Sequence, residues 1–268
     1  MPGASWWLFM CPIAFLWILG TTVMILHAPD HYVDEFDTTS NSRTYGPIDV
    51  QDKSIEAFTD VEKYPDISRS TLNQSYELYL QADHEVSLGR PNYAMNFLTR
   101  AIDLNPQSPK LLMKRAFVRA QFRNETGLAV EDLIASIQLD PEDSAVHYNL
   151  GVLRYGVPDV DAALADFSEA VNIDPVNVKA YNNRGVVFKD MAYYTAALDD
   201  YDRAITLAPE EPFAYFNRGV LRNQLKDYAE ALQDFDRYIL LSPNDTAAKR
   251  KREIVAKRAK GPGLHIGH

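Results

Sequence analysis

Hydrophobic and polar positions between residues 75 and 245 follow a fixed beat. A stretch of the type Ala–x6–Ala–Ile–x–Leu recurs, as in Ala94 followed by Ala101–Ile102–Asp103–Leu104 and Ala197 followed by Ala204–Ile205–Thr206–Leu207. The spacing sets small and large apolar side chains on one face of a helix. Each stretch ends at a proline: Pro106, Pro141, Pro175, Pro209 and Pro243, spaced 35, 34, 34 and 34 residues apart. A proline offers no backbone N–H, so it closes the helix before it. A constant period of this length marks stacked supersecondary units that bury their faces only against one another, an architecture built for binding. Aligned on the prolines, the units are 75–108, 110–143, 144–177, 178–211 and 212–245, with Pro109 as one inserted residue.

Columns through this alignment show what each place does. Gly151, Gly185 and Gly219 fill repeat position 8, and Ala94, Ala129, Ala163, Ala197 and Ala231 fill position 20. Two helices approach closely only where side chains are missing. Position 24 takes the apolar plugs Leu98, Leu133, Phe167, Tyr201 and Phe235. These residues resemble the tetratricopeptide repeat, a helix–turn–helix unit of 34 residues. The resemblance implies an all-α fold: a right-handed superhelical solenoid of helix–turn–helix repeats. Three places depart from it. Phe117 stands at position 8 of the second unit, so its two helices are expected to splay or shift. Position 11, usually aromatic, holds Glu85, Arg154 and Arg222. Tyr238 is too large for position 27 unless a further element packs on it. The segment 246–260 supplies that element as a basic capping helix, with Asp245 as N-cap, a narrow apolar stripe from Ala247 to Ala259, and a flexible tail 261–268 beyond it.

In the family, the first helix of each unit lines the concave surface. The resemblance therefore implies a partner-binding groove containing Lys114, Val118, Tyr148, Asn149, Val152, Lys179, Asn183, Val186, Phe213, Phe216, Asn217 and Val220. Position 6 forms an asparagine ladder, Asn149, Asn183 and Asn217, over an apolar floor at position 9. Two uses are open to it: an amide can hold the backbone of an extended peptide through its donor and acceptor, or it can bond neighbouring helices. A chaperone-tail clamp for a C-terminal carboxylate is matched in part by Lys114, Asn149 and Lys179, but Val118 and Asn183 stand where that clamp has Asn and Arg.

Charge changes the picture at both ends. The chain of 268 residues has a net charge of −10, and an acidic body argues against binding nucleic acid through its phosphates. The seven bases after Asp245 (Lys249, Arg250, Lys251, Arg252, Lys257, Arg258 and Lys260) form a basic tail suited to a cap's outer face, to anionic lipid or to an acidic partner. Beyond a short flank 1–5, residues 6–26 carry no charge, and a helix of that length spans about 30 Å, the thickness of a bilayer's hydrocarbon core. The flank has no Lys or Arg and no small-x-small cleavage site follows, which favours one uncleaved N-terminal transmembrane helix over a signal peptide. The acidic residues beyond it place the repeats outside the cytoplasm, periplasmic or luminal. The linker 27–74 is acidic and punctuated by Tyr32, Phe36, Tyr45, Phe58 and Tyr64, so it serves either as a leash or as an arm that makes contacts.

Catalysis has no home in the sequence. The lone Cys11 excludes an intrachain disulfide and CxxC metal chemistry. His27, Asp30, His31 and Asp34 are one turn apart but lack further ligands nearby. The expectation is a non-catalytic, membrane-anchored interaction protein that needs no cofactor. It would act as scaffold, assembly factor or accessory subunit of a membrane complex, with protein partners and no nucleic acid. The alternative is a co-chaperone-like peptide receptor.

Overall fold

The computed structural model describes residues 62–260. Among these residues the chain forms eleven helices. They are α1 (Arg69–Ser87), α2 (Pro91–Leu104), α3 (Pro109–Arg123), α4 (Thr126–Leu139), α5 (Ser144–Gly156), α6 (Val160–Ile173), α7 (Val178–Asp190), α8 (Tyr194–Leu207), α9 (Pro212–Gln224), α10 (Tyr228–Leu241) and α11 (Thr246–Ala259). Odd-numbered helices are the first of each unit and even-numbered helices the second. The flank 1–5, the apolar segment 6–26, most of the linker and the tail 261–268 lie outside the described residues. No helix among the described residues is long and apolar enough to cross a membrane.

Local chemistry sets the helix ends. The side chains of Asp143, Asn177 and Asp245 accept from the backbone N–H groups of Ala145, Ala180 and both Ala247 and Ala248, so they satisfy donors that the first turn leaves open. Pro91, Pro109 and Pro212 occupy the first turn of their helices, where no N–H is needed. The second helices end at Asn105, Asp140, Asp174, Ala208 and Ser242, each directly before its proline.

Within a unit the helices touch where the side chains are smallest. A Cβ on Gly151 would lie 2.8 Å from the Phe167 ring, and one on Gly185 would lie 2.7 Å from the Tyr201 ring. Beside this contact runs an ion-paired brace. Arg184 meets Asp200 with two bonds of 2.8 Å, Arg218 and Arg222 converge on Asp234, Arg154 meets Asp166, and Arg115 and Arg119 converge on Asp132. The arginines that stand at position 11 in place of an aromatic, Arg154 and Arg222, thus belong to the brace. Burial pushes the Asp166 and Asp200 carboxyls up, while their arginine partners pull them back.

The braces correct the placement of the extra residue. Arg184–Asp200 and Arg218–Asp234 are 16 residues apart, but Arg115–Asp132 is 17. Arg154–Asp166 and Arg222–Asp234 are 12 apart, but Arg119–Asp132 is 13. The N–H that closes the turn after α5, α7 or α9 bonds a carbonyl five residues back (Asp159 to Arg154, Tyr193 to Phe188, Asp227 to Arg222). After α3, Glu125 reaches back six residues, to Arg119. The extra residue therefore lies between Arg119 and Glu125, and Pro109 is the first residue of the second unit. Ser136 Oγ donates to the Pro109 carbonyl at 3.0 Å, just as Ser144 Oγ donates to that of Ala170 between the same two positions. With this register the second unit is 109–143, and Ala116, fully buried, takes the close-contact place. Phe117 falls one place further on, so the two helices of that unit need not splay.

Two other boundaries change. The first unit's opening helix begins at Arg69, inside the segment assigned to the linker, and runs for 19 residues against 13 in α5, α7 and α9. At the other end α11 packs on α10 in the place that the first helix of a sixth unit would take. Val255 plugs the cluster formed by Ala231 and Phe235, as Leu221 and Val187 plug theirs one and two units earlier. Tyr238 fits because its hydroxyl donates to Asp245, the N-cap of α11, at 2.9 Å.

The turns between the paired helices require a left-handed residue. Gly89, Asn124, Ala192 and Lys226 have φ of 69°, 53°, 62° and 69°. Only glycine adopts this without strain, and an ordinary side chain costs roughly 1–2 kcal/mol there. Ala192→Gly is therefore expected to raise unfolding stability by about 1 kcal/mol, read from the midpoint of a urea titration, whereas Ala192→Val lowers it.

Candidate functional site

The first helices of successive units lie side by side, and their contact follows one rule: the side chain at position 6 meets the side chain at position 5 of the preceding unit. Asn183 Nδ2 donates to the Tyr148 hydroxyl at 3.3 Å, and Asn217 Nδ2 donates to Asn182 Oδ1 at 2.9 Å. Asn182 Nδ2 in turn donates to Asn183 Oδ1 at 3.2 Å, which joins the two bonds into a chain across α5, α7 and α9. At the two ends of the seam the amide is replaced by a lysine. Lys114 Nζ sits 5.8 Å from the centre of the Tyr79 ring, and Lys251 Nζ sits 5.5 Å from that of Phe216. A cation over an aromatic face gains electrostatically from the ring quadrupole.

The asparagine ladder is thus present, and the side chains of Asn183 and Asn217 point between helices. Asn149, Asn183 and Asn217 are 0%, 1% and 5% exposed. An amide buried this deeply must be paired inside the protein, and the inter-helix bonds do that for Asn183 and Asn217. Tyr148, Val118 and Val186 are buried as well. Val118 occupies the column of Val187 and Leu221 and plugs the first unit's cluster, so it belongs to the core and not to the groove floor. Of the groove residues expected from sequence, Lys179 and Phe213 are exposed, while Val152, Phe216 and Val220 are half-buried. Tyr155 bridges α5 and α7 through a hydroxyl donated to Asp190.

Lys114 is also reassigned. It is buried, and its Nζ lies 2.6 Å from Asp83 Oδ1 on α1, with the Phe117 ring 5.4 Å away. In the corrected register it stands at position 6, the place of the ladder asparagines, and not at position 5 as a carboxylate clamp requires. The partial clamp of Lys114, Asn149 and Lys179 is therefore not assembled: two members are buried between helices and only Lys179 reaches the surface.

The basic tail divides in two. Arg252 pairs with Asp236 on α10 at 2.8 Å, Arg258 donates to Asn223 on α9, and Lys251 covers Phe216, so these three serve packing. Lys249, Arg250, Lys257 and Lys260 are exposed. Among the described residues no group of three or more His, Cys, Asp or Glu is placed to hold a metal ion. His27, Asp30, His31 and Asp34 lie outside the described residues.

Comparison with known proteins agrees with the architecture. Two family models described as tetratricopeptide repeat match residues 116–178 and 190–256. Among solved structures, MamA residues 41 to the end from Desulfovibrio magneticus RS-1 is 17% identical with a TM-score of 0.57, covering 65% of this chain and 97% of that one. YrrB, described as a tetratricopeptide protein with an unusual peptide-binding site, is 18% identical with a TM-score of 0.55, covering 75% and 100%. A thermophilic repeat protein from Thermus thermophilus is 18% identical with a TM-score of 0.55, covering 68% and 99%. Similarity at this level shows a shared fold. No curated protein matches the chain.

Lys114→Ala is expected to act on stability, because it removes the cation paired with Asp83 at 2.6 Å. A loss of about 2–3 kcal/mol should appear in urea unfolding, toward the low end for a buried pair since Asp83 is partly exposed. Lys179→Ala, on an exposed site, should leave the unfolding midpoint within about 0.5 kcal/mol of the parent.

Proposed function

We propose that this chain of tetratricopeptide repeats is a non-catalytic interaction protein, held at a membrane by residues 6–26, that serves as scaffold, assembly factor or accessory subunit of a membrane-associated complex. The observation that carries the reading is that the apolar Val152 on α5 and Val220 on α9 are only half-buried, while Lys179 on α7 and Phe213 on α9 are exposed. An apolar strip bordered by polar groups is what a partner segment covers. A repeat stack offers such a strip over several units without needing any one strong pocket.

The partner would lie on Val152 and Val220 and on the exposed Lys179 and Phe213. The amides of Asn183 and Asn217, spent on the seam, would not touch it. This favours a protein surface or an amphipathic segment over a backbone-gripped extended peptide, and it disfavours the co-chaperone reading, whose clamp is not assembled. The acidic flank that follows the apolar segment supports a location of the repeats outside the cytoplasm, periplasmic or luminal. The exposed lysines and arginine of α11 offer a second contact surface for an acidic partner or anionic lipid.

The test is purification from detergent-solubilised membranes at native abundance. The proposal expects the chain to elute with other membrane proteins. Val152→Asp combined with Val220→Asp should release those proteins while the helical circular dichroism spectrum is retained. A monodisperse monomer from the parent chain would contradict it.

A further inference from the structure

The edge of the stack where second helices turn into first helices carries two equivalent sockets, one closed and one open. The open one is a cavity of about 420 Å³ lined by Asp143, Ser144 and Ala145 at the start of α5 and by Asp174, Asn177, Val178 and Lys179 around the start of α7. That volume is in the range that takes a side chain with its neighbours. One unit earlier the same places are held by Ser108, Pro109 and Lys110 at the start of α3 and by Asp140, Asp143, Ser144 and Ala145 around the start of α5. The capping roles fix this equivalence: Ser108, Asp143 and Asn177 are the N-caps of their helices, and Asp140 and Asp174 are the C-caps of theirs.

The earlier socket is closed. Ser108 is 0% exposed and Pro109 is buried, whereas their counterparts Asp143 and Ser144, then Asn177 and Val178, are only half-buried. Pro212, at the same helix position as Pro109, is half-buried too, so the proline itself is not the reason. A segment of the chain reaches this place. Lys63 Nζ pairs with Asp140 Oδ2 at 3.3 Å across 77 residues of sequence, and the adjacent Tyr64 is 2% exposed. Lys63–Tyr64–Pro65–Asp66–Ile67 thus enters the edge with its cation on the C-cap aspartate.

The linker contains this phrase a second time. Arg43–Thr44–Tyr45–Gly46–Pro47–Ile48–Asp49 repeats the order cation, tyrosine, proline, with Ile and Asp after it. We propose that the open socket takes this segment of the same chain: Tyr45 fills the cavity and Arg43 pairs with Asp174, as Lys63 pairs with Asp140. The two sockets are one unit apart, about 20 Å at 8–10 Å per packed helix. The residues that separate Tyr45 from Lys63 span up to about 60 Å when extended, so the chain reaches easily. Two successive sockets of the turn edge would then be filled by two copies of one phrase from the same chain.

The experiment uses the full chain with Cys11→Ser, so that introduced cysteines are the only thiols. Gly46→Cys is paired with Val176→Cys, an exposed site between Asp174 and Asn177. The control pairs Gly46→Cys with Lys226→Cys, in a turn at the opposite end of the helices. Under mild oxidation the proposal expects an intramolecular disulfide at the Val176 site, in at least five-fold greater yield than in the control. Asp174→Lys should cut that yield three-fold or more, and peptide mapping reads the linkage. Equal yields at both sites, a yield unmoved by Asp174→Lys, or a disulfide formed only between two copies would each overturn it. The four positions altered on the Cys11→Ser background lie in turns or in the linker, and a circular dichroism spectrum equal to the parent's confirms that the repeats remain folded in each variant.

Discussion

The seam between successive first helices is the constraint from which the rest of the stack follows. Each hairpin has an apolar face it cannot bury alone, so the first helix of the next unit must be presented to it in one register. Apolar plugs such as Val187 and Leu221 supply the attraction, which is non-directional. The polar chain Tyr148–Asn183–Asn182–Asn217 supplies direction, because a one-residue slip would leave several amides buried and unpaired. At the seam's ends, Lys114 and Lys251 replace the amide. Each lies over a ring of the preceding unit, and Lys114 is also neutralised by Asp83.

That constraint explains how the second unit absorbs its extra residue. Lys114, Arg115, Ala116 and Val118 must each meet a fixed neighbour in α1, α2 or α4, so α3 cannot shift along its axis. The surplus is placed after Arg119, where the only penalty is a wider closing turn from Arg119 to Glu125. The neighbouring Arg123 and Glu125 pair with one another at 2.7 Å, and Phe122 packs edge-on against Phe117. The irregularity thus sits in a turn, and the seam runs past it undisturbed.

Much of this was legible in the sequence. The period, the small residues at the helix crossings, the plugs and the need for an element over Tyr238 all follow from one-dimensional spacing, because each depends on the size of a side chain at a repeated place. The position of the extra residue was harder to read, since prolines mark unit ends and Pro109 follows one of them closely. The distance from Arg115 and Arg119 to Asp132, one longer than in the other units, carried the signal. The ladder was visible as a column, but a column does not say whether a side chain points into the groove or along the seam. That direction is set by the crossing geometry of neighbouring first helices. The clamp reading failed for the same reason: Lys114 has the right chemistry, but a one-residue phase difference turns it from the groove onto Asp83 and Tyr79. The socket along the turn edge needed three dimensions, since Lys63 and Asp140 are far apart in the chain.

Whether the asparagines hold the units together is decided by a double-mutant cycle on Asn182 and Asn217. Urea unfolding of the parent, Asn182→Ala, Asn217→Ala and the double variant gives the coupling between two side chains in different units. The expected coupling is about 1 kcal/mol, the value of a buried hydrogen bond between neutral groups. Additive losses, within about 0.3 kcal/mol, would show that the two amides do not act on each other and would return the ladder to the groove.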